Sequence, residues 1–146
     1  NTAPAPAAPA DVSPDFGASR FIADTIKEHP VVMFALEWCE FCWSVRKFFR
    51  ALGIEYHSVD LDSVDFQPDN RGVRIRAALK QRLGAGTIPQ VFVGGESIGG
   101  CTDLFAAYRD GSLQRRLADV GVRLDGATVL DTSRLLPQWM HPRKSA

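Results

Sequence analysis

The sequence predicts an α/β fold in which a mixed four-stranded sheet is flanked by helices on both faces. Two observations lead to this prediction. Apolar periodicity gives the order helix, strand, helix, strand, helix, strand, strand, helix, helix along the chain. The first strand–helix–strand unit requires a parallel pair with a right-handed crossover, whereas the last two strands flank Gly94-Gly95 and form an antiparallel hairpin.

The first half of the chain supplies two helices and two strands. A helix from Ala18 ends before Pro30, and residues 31–36 form a continuous apolar run, which is typical of a strand buried on both faces. A second amphipathic helix closes at Gly53, and residues 54–61 alternate loosely as the next strand. The apolar helix positions are Phe21, Ile22 and Ile26, then Val45, Phe48, Phe49 and Leu52.

The second half begins with a polar loop at 63–72 and a helix that ends before Gly84. Strands at 91–93 and 96–98 follow, and then two short helices that end at Gly111 and Gly121. The apolar positions that define these three helices are Ile75, Leu79 and Leu83, then Leu104, Phe105 and Tyr108, then Leu113, Leu117 and Val120.

Composition limits the classes of function. The chain has 146 residues, 45% of them hydrophobic, which suits one globular domain with a core. Its 17 basic and 17 acidic residues balance, so we expect no nucleic-acid partner. No apolar run reaches the length of a membrane helix, so we expect no membrane partner. Three cysteines are too few for a disulfide-stapled scaffold.

The predicted domain lies between two segments of different character. Residues 1–17 are an Ala/Pro-rich linker, residues 18–122 the domain, and residues 123–146 a C-terminal extension. Linkers of this composition usually join domains, so the chain reads as a module of a larger fusion; a mature exported N-terminus is the alternative. The apolar residues of the extension, including Trp139, either cover a patch of the domain or belong to an interface with a missing partner.

Cys39 and Cys42 form a C-x-x-C motif, which is half a zinc site, part of an iron–sulfur site or a redox dithiol. Zinc normally takes four ligands, and only Cys101 and three scattered histidines remain, so we predict no metal. The pair follows a buried strand and opens a helix, whose N-terminal N–H groups stabilise a thiolate. The position therefore favours the dithiol, with Cys39 as nucleophile and Cys42 as resolving thiol.

Together with Thr87-Ile88-Pro89-Gln90-Val91-Phe92-Val93 and Ile98-Gly99-Gly100-Cys101-Thr102-Asp103-Leu104, the C-x-x-C motif resembles the dithiol type of the glutaredoxin family. The similarity covers about residues 18–122. It implies a thioredoxin-like fold and a glutathione-dependent oxidoreductase that reduces protein disulfides and glutathione mixed disulfides. In that fold the proline turn faces the dithiol, whereas taken alone it is also an ordinary turn into a strand.

The resemblance implies glutathione as co-substrate and a set of contacts to it. The γ-glutamyl end is expected at Gly100, Cys101, Thr102 and Asp103, the cysteinyl backbone at Thr87, Ile88 and Pro89, and the glycyl carboxylate at Arg76. The alternative interpretation of Arg76 is a solvent-exposed charged residue on its helix with no role in binding. Cys101 is either a turn residue or a regulatory thiol.

The sequence also departs from the family. Leu36 stands where many relatives carry a cation, and Glu37 and Glu40 flank the nucleophile, where negative charge opposes thiolate formation. The usual Pro-Tyr between the cysteines is Glu40-Phe41 here. Some relatives without that proline hold a [2Fe–2S] cluster between two protomers with glutathione as co-ligand, and Cys39 would be the protein ligand. A cluster carrier or sensor, and an electron-delivery module for a fused enzyme, are therefore the alternative functions.

The expected partners are glutathione, disulfide-bonded or glutathionylated protein substrates, and a fused catalytic domain if the linker has that role. Glutaredoxin potentials of roughly −200 to −230 mV suit exchange with the cytosolic glutathione pool. We therefore predict a cytoplasmic location.

Overall fold

The structure of the protein, a computed structural model, describes residues 15–124 and 129–140. Five helices and four strands follow the predicted order: α1 (Phe16–Glu28), β1 (Val31–Ala35), α2 (Glu40–Leu52), β2 (His57–Asp60), α3 (Arg71–Leu83), β3 (Gln90–Val93), β4 (Glu96–Gly99), α4 (Cys101–Asp110) and α5 (Ser112–Asp119). In the described part of the chain, no helix has the length and apolar character needed to cross a membrane.

The four strands form one mixed sheet in the order β2-β1-β3-β4. Strand β1 is parallel to β2 and antiparallel to β3, which pairs antiparallel with β4. The hairpin turns at Gly94 and Gly95, whose φ angles of 60° and 82° favour glycine. The predicted mixed four-stranded sheet is confirmed.

Strand β1 is the centre of the core, because every one of its residues is buried. Alternate side chains point to opposite faces of a strand, so β1 contributes to two apolar layers. Val31, Met33 and Ala35 pack with α2, α4 and α5, whereas Val32 and Phe34 pack with α1 and α3. The sheet thus has helices on both faces, and α2 is fixed against it directly after the end of β1.

Among the element boundaries that differ from the sequence prediction, those of α1 and β2 have a clear physical reason. Helix α1 begins at Phe16, inside the predicted linker 1–17, because the Asp15 carboxylate caps it by accepting from the Ala18 N–H at 3.0 Å. Strand β2 covers His57–Asp60 rather than 54–61, because the Ile54 N–H still donates to the Phe49 carbonyl at the end of α2. Residues 1–14, where most of the predicted linker falls, lie outside the described residues.

The C-terminal extension packs on the domain over its described residues, 123–124 and 129–140. The Leu130 N–H donates to the Tyr108 hydroxyl at 2.9 Å, and Arg109 donates to the buried Thr132 hydroxyl at 3.1 Å. Leu135 and Leu136 then pack against the core beside α2. The extension therefore runs from α4 across α2 towards the start of that helix.

Candidate active site

The two cysteines of the motif occupy different environments at the start of α2. Cys39 is the N-cap residue and is partly exposed, whereas Cys42, within the first turn, is fully buried. The first N–H groups of a helix have no intrahelical acceptor, so they are available to an anion at the N-cap sulfur. This arrangement provides one accessible thiol and one protected thiol directly after β1.

Burial raises the pKa of the Cys42 thiol to about 12. The Leu36 N–H points at Cys42 Sγ across 3.5 Å and, like the positive charge of Arg46, works against this rise. Arg46 is held by two acceptors, the Leu36 carbonyl at 3.0 Å and Asp60 Oδ1 at 2.9 Å. At neutral pH the Cys42 thiol is therefore protonated, with a fixed cation nearby that favours its ionised form.

The proline turn faces the nucleophile, as the resemblance implies. The Cys39 thiol lies 4.0 Å from the Ile88 carbonyl oxygen, and the Ile88–Pro89 peptide bond is cis. Gln90 braces the turn, because its side-chain amide donates to both the carbonyl and the hydroxyl of Thr87, at 2.9 and 3.1 Å. The structure thus brings together two motifs that are far apart in the sequence.

The glycine segment at the start of α4 completes a cleft beside this turn. Gly99 has a φ of 108°, and a Cβ there would lie 2.5 Å from Asp103 Oδ2. That carboxylate oxygen accepts from the Gly100 N–H at 3.0 Å, which fixes the helix start. The cleft has a volume of about 280 Å³ and is called the glutathione cleft below, because its lining contains residues that are expected to contact glutathione. It is lined by Phe41, Thr87, Ile88, Pro89, Gly100, Cys101, Thr102 and Asp103.

Cys101 contributes to this cleft from a buried position. Its side chain is 4% exposed, and burial, followed by the influence of Cys39, raises the pKa of its thiol to about 12. A buried, protonated thiol is a poor nucleophile, so these observations favour the turn residue over the regulatory thiol. Thr102 and Asp103 are exposed at the mouth of the cleft.

Arg76 is not brought into the glutathione cleft. Its guanidinium donates to the Gly86 carbonyl at 3.3 and 3.2 Å, one residue before the Thr87 turn. The side chain lines a neighbouring cleft of about 360 Å³ together with Leu36 and Asp62. Its contact with the glycyl carboxylate of glutathione stays a prediction.

Sequence reasoning missed two features of the site. One is Arg46, which stands four residues after Cys42 on the same helix and was not singled out. The other is the destination of the extension: the Trp139 indole N–H donates to Glu40 Oε2 at 3.0 Å, and its ring meets Phe41 edge-to-face at 5.9 Å. The apolar residues of the extension indicated that it packs on the domain, but nothing in the sequence pattern indicated that it reaches the start of α2.

The described residues do not fit a cluster held by this chain alone. Within 15–124 and 129–140, no group of three or more His, Cys, Asp or Glu side chains could hold a metal ion. Iron–sulfur clusters are bound by Cys thiolates, normally four, and Cys39 is the one accessible thiol among the described cysteines. We therefore assign no reaction to a cluster.

Comparisons with known proteins identify relatives of this chain. A glutaredoxin family model matches residues 31–98. The chain is 30% identical to monothiol glutaredoxin-S10 of Oryza sativa subsp. japonica over 119 aligned residues. The aligned region covers 79% of this chain and 70% of that protein. The chain is 32% identical over 110 residues to glutaredoxin-C6 of the same plant, covering 75% and 94%.

Solved structures give the same result. The crystal structure of a buckwheat glutaredoxin–glutathione complex matches with a TM-score of 0.67 at 36% identity, covering 73% of this chain and 93% of that chain. The fold is thus the thioredoxin-like fold of glutaredoxins, and the matched residues include Cys39, Cys42 and the proline turn. The chain belongs to the glutaredoxin family.

Proposed function

We propose that the protein is a glutathione-dependent thiol–disulfide oxidoreductase that uses Cys39 as nucleophile and Cys42 as resolving thiol. The observation that carries this proposal is the asymmetry of the pair. Cys39 is accessible at the N-cap of α2 and faces the Ile88 carbonyl, whereas Cys42 is buried one turn later with a pKa of about 12. Such a pair separates attack from resolution.

Glutathione suits the chemistry of the glutathione cleft. The carbonyl of Ile88 offers strand-like pairing to a peptide backbone, next to the reacting sulfur. By helix geometry, the first N–H groups of α4 lack intrahelical acceptors, so they suit the γ-glutamyl carboxylate. Asp103 accepts from Gly100 through Oδ2, and its exposed carboxylate suits the ammonium. The buckwheat relative was crystallised as a glutathione complex.

Deglutathionylation needs only Cys39. Its thiolate attacks the glutathione sulfur of a mixed disulfide, a Cys39–glutathione disulfide forms, and the substrate leaves as a thiolate that takes up a proton. A second glutathione thiolate then attacks the bound glutathione sulfur. This step releases oxidised glutathione and returns the Cys39 thiolate.

Reduction of a protein disulfide also needs Cys42. Cys39 attacks one sulfur and forms a mixed disulfide with the substrate, whose other sulfur leaves as a thiolate. Cys42 loses its proton and attacks Cys39 Sγ, which releases the second substrate thiolate and forms the Cys39–Cys42 disulfide. Two glutathione molecules reduce that disulfide and become oxidised glutathione.

A glutathione reductase-coupled assay on wild type, Cys39→Ser and Cys42→Ser tests the proposal. The substrates are the mixed disulfide of glutathione with 2-mercaptoethanol and a disulfide-bonded protein. We expect Cys39→Ser to be inactive on both, and Cys42→Ser to keep activity on the mixed disulfide while losing most of it on the protein disulfide. Activity that survives Cys39→Ser would overturn the mechanism.

We also propose that the protein acts on disulfide-bonded or glutathionylated proteins, that it is fused to a catalytic domain and that it is located in the cytoplasm. These proposals rest on the sequence alone. Fractionation of cells that express the full-length protein tests the location. Trapping with Cys42→Ser, which leaves the mixed disulfide unresolved, tests the substrates.

A further inference from the structure

A second cleft opens beside Cys39 and shares no lining residue with the glutathione cleft. We call it the α2 cleft. One wall is the start of α2, with Trp38, Cys39, Trp43 and Lys47, and the other is the C-terminal segment 134–138. Its volume is about 590 Å³, roughly twice that of the glutathione cleft at about 280 Å³. Cys39 lines the α2 cleft, and its sulfur lies 4.0 Å from the carbonyl oxygen of Ile88, which lines the glutathione cleft, so the two clefts are neighbours at Cys39.

The outer wall of the α2 cleft is anchored on both sides. Before it, Leu130 and Thr132 are hydrogen-bonded to side chains of α4. After it, Trp139 donates to Glu40 and packs against Phe41. Because the wall is fixed at both ends, the cleft is formed before a ligand arrives. Less conformational entropy is therefore lost when the ligand binds.

The lining of the α2 cleft combines apolar surface with positive charge. Trp38 is 83% exposed and Trp43 50% exposed, so both present aromatic surface to a ligand. Lys47 and Arg134 supply cations, one on each wall. Arg134 also lies 3.8 Å from Asp131 in an exposed pair, which is weak in water. The acidic lining residue, Glu40, already accepts the Trp139 indole N–H.

We propose that the α2 cleft binds the polypeptide around the reacting cysteine of a protein substrate, with preference for an apolar and an acidic side chain near that cysteine. The inference rests on the proposed function, because a protein substrate has to bring a sulfur to Cys39. When the glutathione moiety fills its own cleft, the α2 cleft, which Cys39 lines, remains open for the rest of the substrate. Its lining complements an acidic, apolar segment.

Kinetics on two glutathionylated heptapeptides test this inference. One carries leucine and glutamate beside the modified cysteine, and the other carries lysines. The small mixed disulfide of glutathione with 2-mercaptoethanol is the reference, because its thiol half is too small to reach Lys47 and Arg134. Wild type is expected to prefer the acidic peptide by about three- to tenfold in kcat/KM, as for weak exposed charge pairs.

Charge reversal provides the matched comparison. In Lys47→Glu/Arg134→Glu, the kcat/KM ratio of acidic peptide to small disulfide is expected to fall by about tenfold, and the lysine peptide becomes the better substrate. Arg50→Glu/Arg115→Glu makes the same change in net charge at exposed positions outside the cleft, and its ratio is expected to equal that of wild type.

The outcomes separate the two proposals. If wild type turns over neither the peptides nor the small disulfide, the proposed function fails. If wild type turns over all three with equal kcat/KM, or if both double variants change the ratio equally, the function stands and the α2 cleft is not the peptide site. Circular dichroism of both double variants shows whether each is folded.

Discussion

The protected state of Cys42 gives a quantitative prediction. A thiol with the ordinary pKa of 9.0 is about 1% ionised at pH 7, whereas a thiol with a pKa of about 12 is ionised to about one part in 100,000. The thiolate is the nucleophile, but a more basic thiolate is also the stronger nucleophile. Native Cys42 should therefore react with iodoacetamide at least about thirtyfold more slowly than the same residue in the unfolded chain. Its complete burial adds a barrier of access.

Labelling with iodoacetamide at pH 7, with and without denaturing urea, measures this difference. Peptide mass spectrometry follows all three cysteines in one experiment. We expect Cys39 to be modified first in the native protein, with Cys42 and Cys101 labelled at least about thirtyfold more slowly than in urea. Cys101 is the internal control, because burial also raises the pKa of its thiol to about 12 without a proposed role in exchange.

The variant Cys39→Ser tests the cause of this protection. Cys39 raises the pKa of Cys42 as well, but burial is the larger cause. Slow labelling of Cys42 should therefore persist in this variant. If native Cys42 is labelled within about tenfold of its rate in urea, the assignment of a protected resolving thiol is wrong.

Three further predictions concern stability and the site. Gly99→Ala places a Cβ against Asp103 at a φ of 108°; we expect a higher KM for glutathione and a loss of about 1–3 kcal/mol in urea unfolding. Arg46→Met leaves Asp60 without its ion pair, so we expect a loss of about 1–3 kcal/mol by the same measurement, with the variant folded at pH 7. Raising the pH from 9 to 12 should lower the free energy of unfolding, because the two buried cysteines keep protons that the unfolded chain releases. In Cys101→Ala, which lacks one of these thiols, the free energy of unfolding should fall less steeply with pH. The same steepness in the variant and the wild type would contradict this assignment.

The fold was largely predictable because burial leaves a periodic trace in the sequence. Strand β1 is buried throughout and reads as a continuous apolar run. Helix α2 ends at Gly53, which has a φ of 67°, as a C-terminal glycine predicts. Strand β2 was predicted too long, since Ile54 is apolar for another reason: it packs into the core below the end of α2. Periodicity reports burial, and it does not tell which element provides the buried side chain.

The parts of the candidate site that consist of sequence motifs were predictable. The parts that depend on contacts between distant residues were not. The resemblance led us to expect the proline turn opposite Cys39, and the structure places the Ile88 carbonyl oxygen 4.0 Å from the Cys39 thiol, with the glycine segment in the same cleft as the turn. The contact of Trp139 with Glu40 joins residues 99 positions apart. No local pattern encodes such a contact, because it depends on how the extension crosses α2.

This contact bears on the acidic residues that flank the nucleophile. Glu37 and Glu40 stand within two residues of Cys39 in the sequence. The structure gives the Glu40 carboxylate a hydrogen-bond donor, the Trp139 indole, which holds its charge on the side of the C-terminal segment. The extension therefore does two things at once: it partners an acidic residue between the cysteines and forms the outer wall of the α2 cleft. A glutaredoxin domain without this extension would have Glu40 free in solvent and an open face beside Cys39, so the motif and the extension have to be considered as one site.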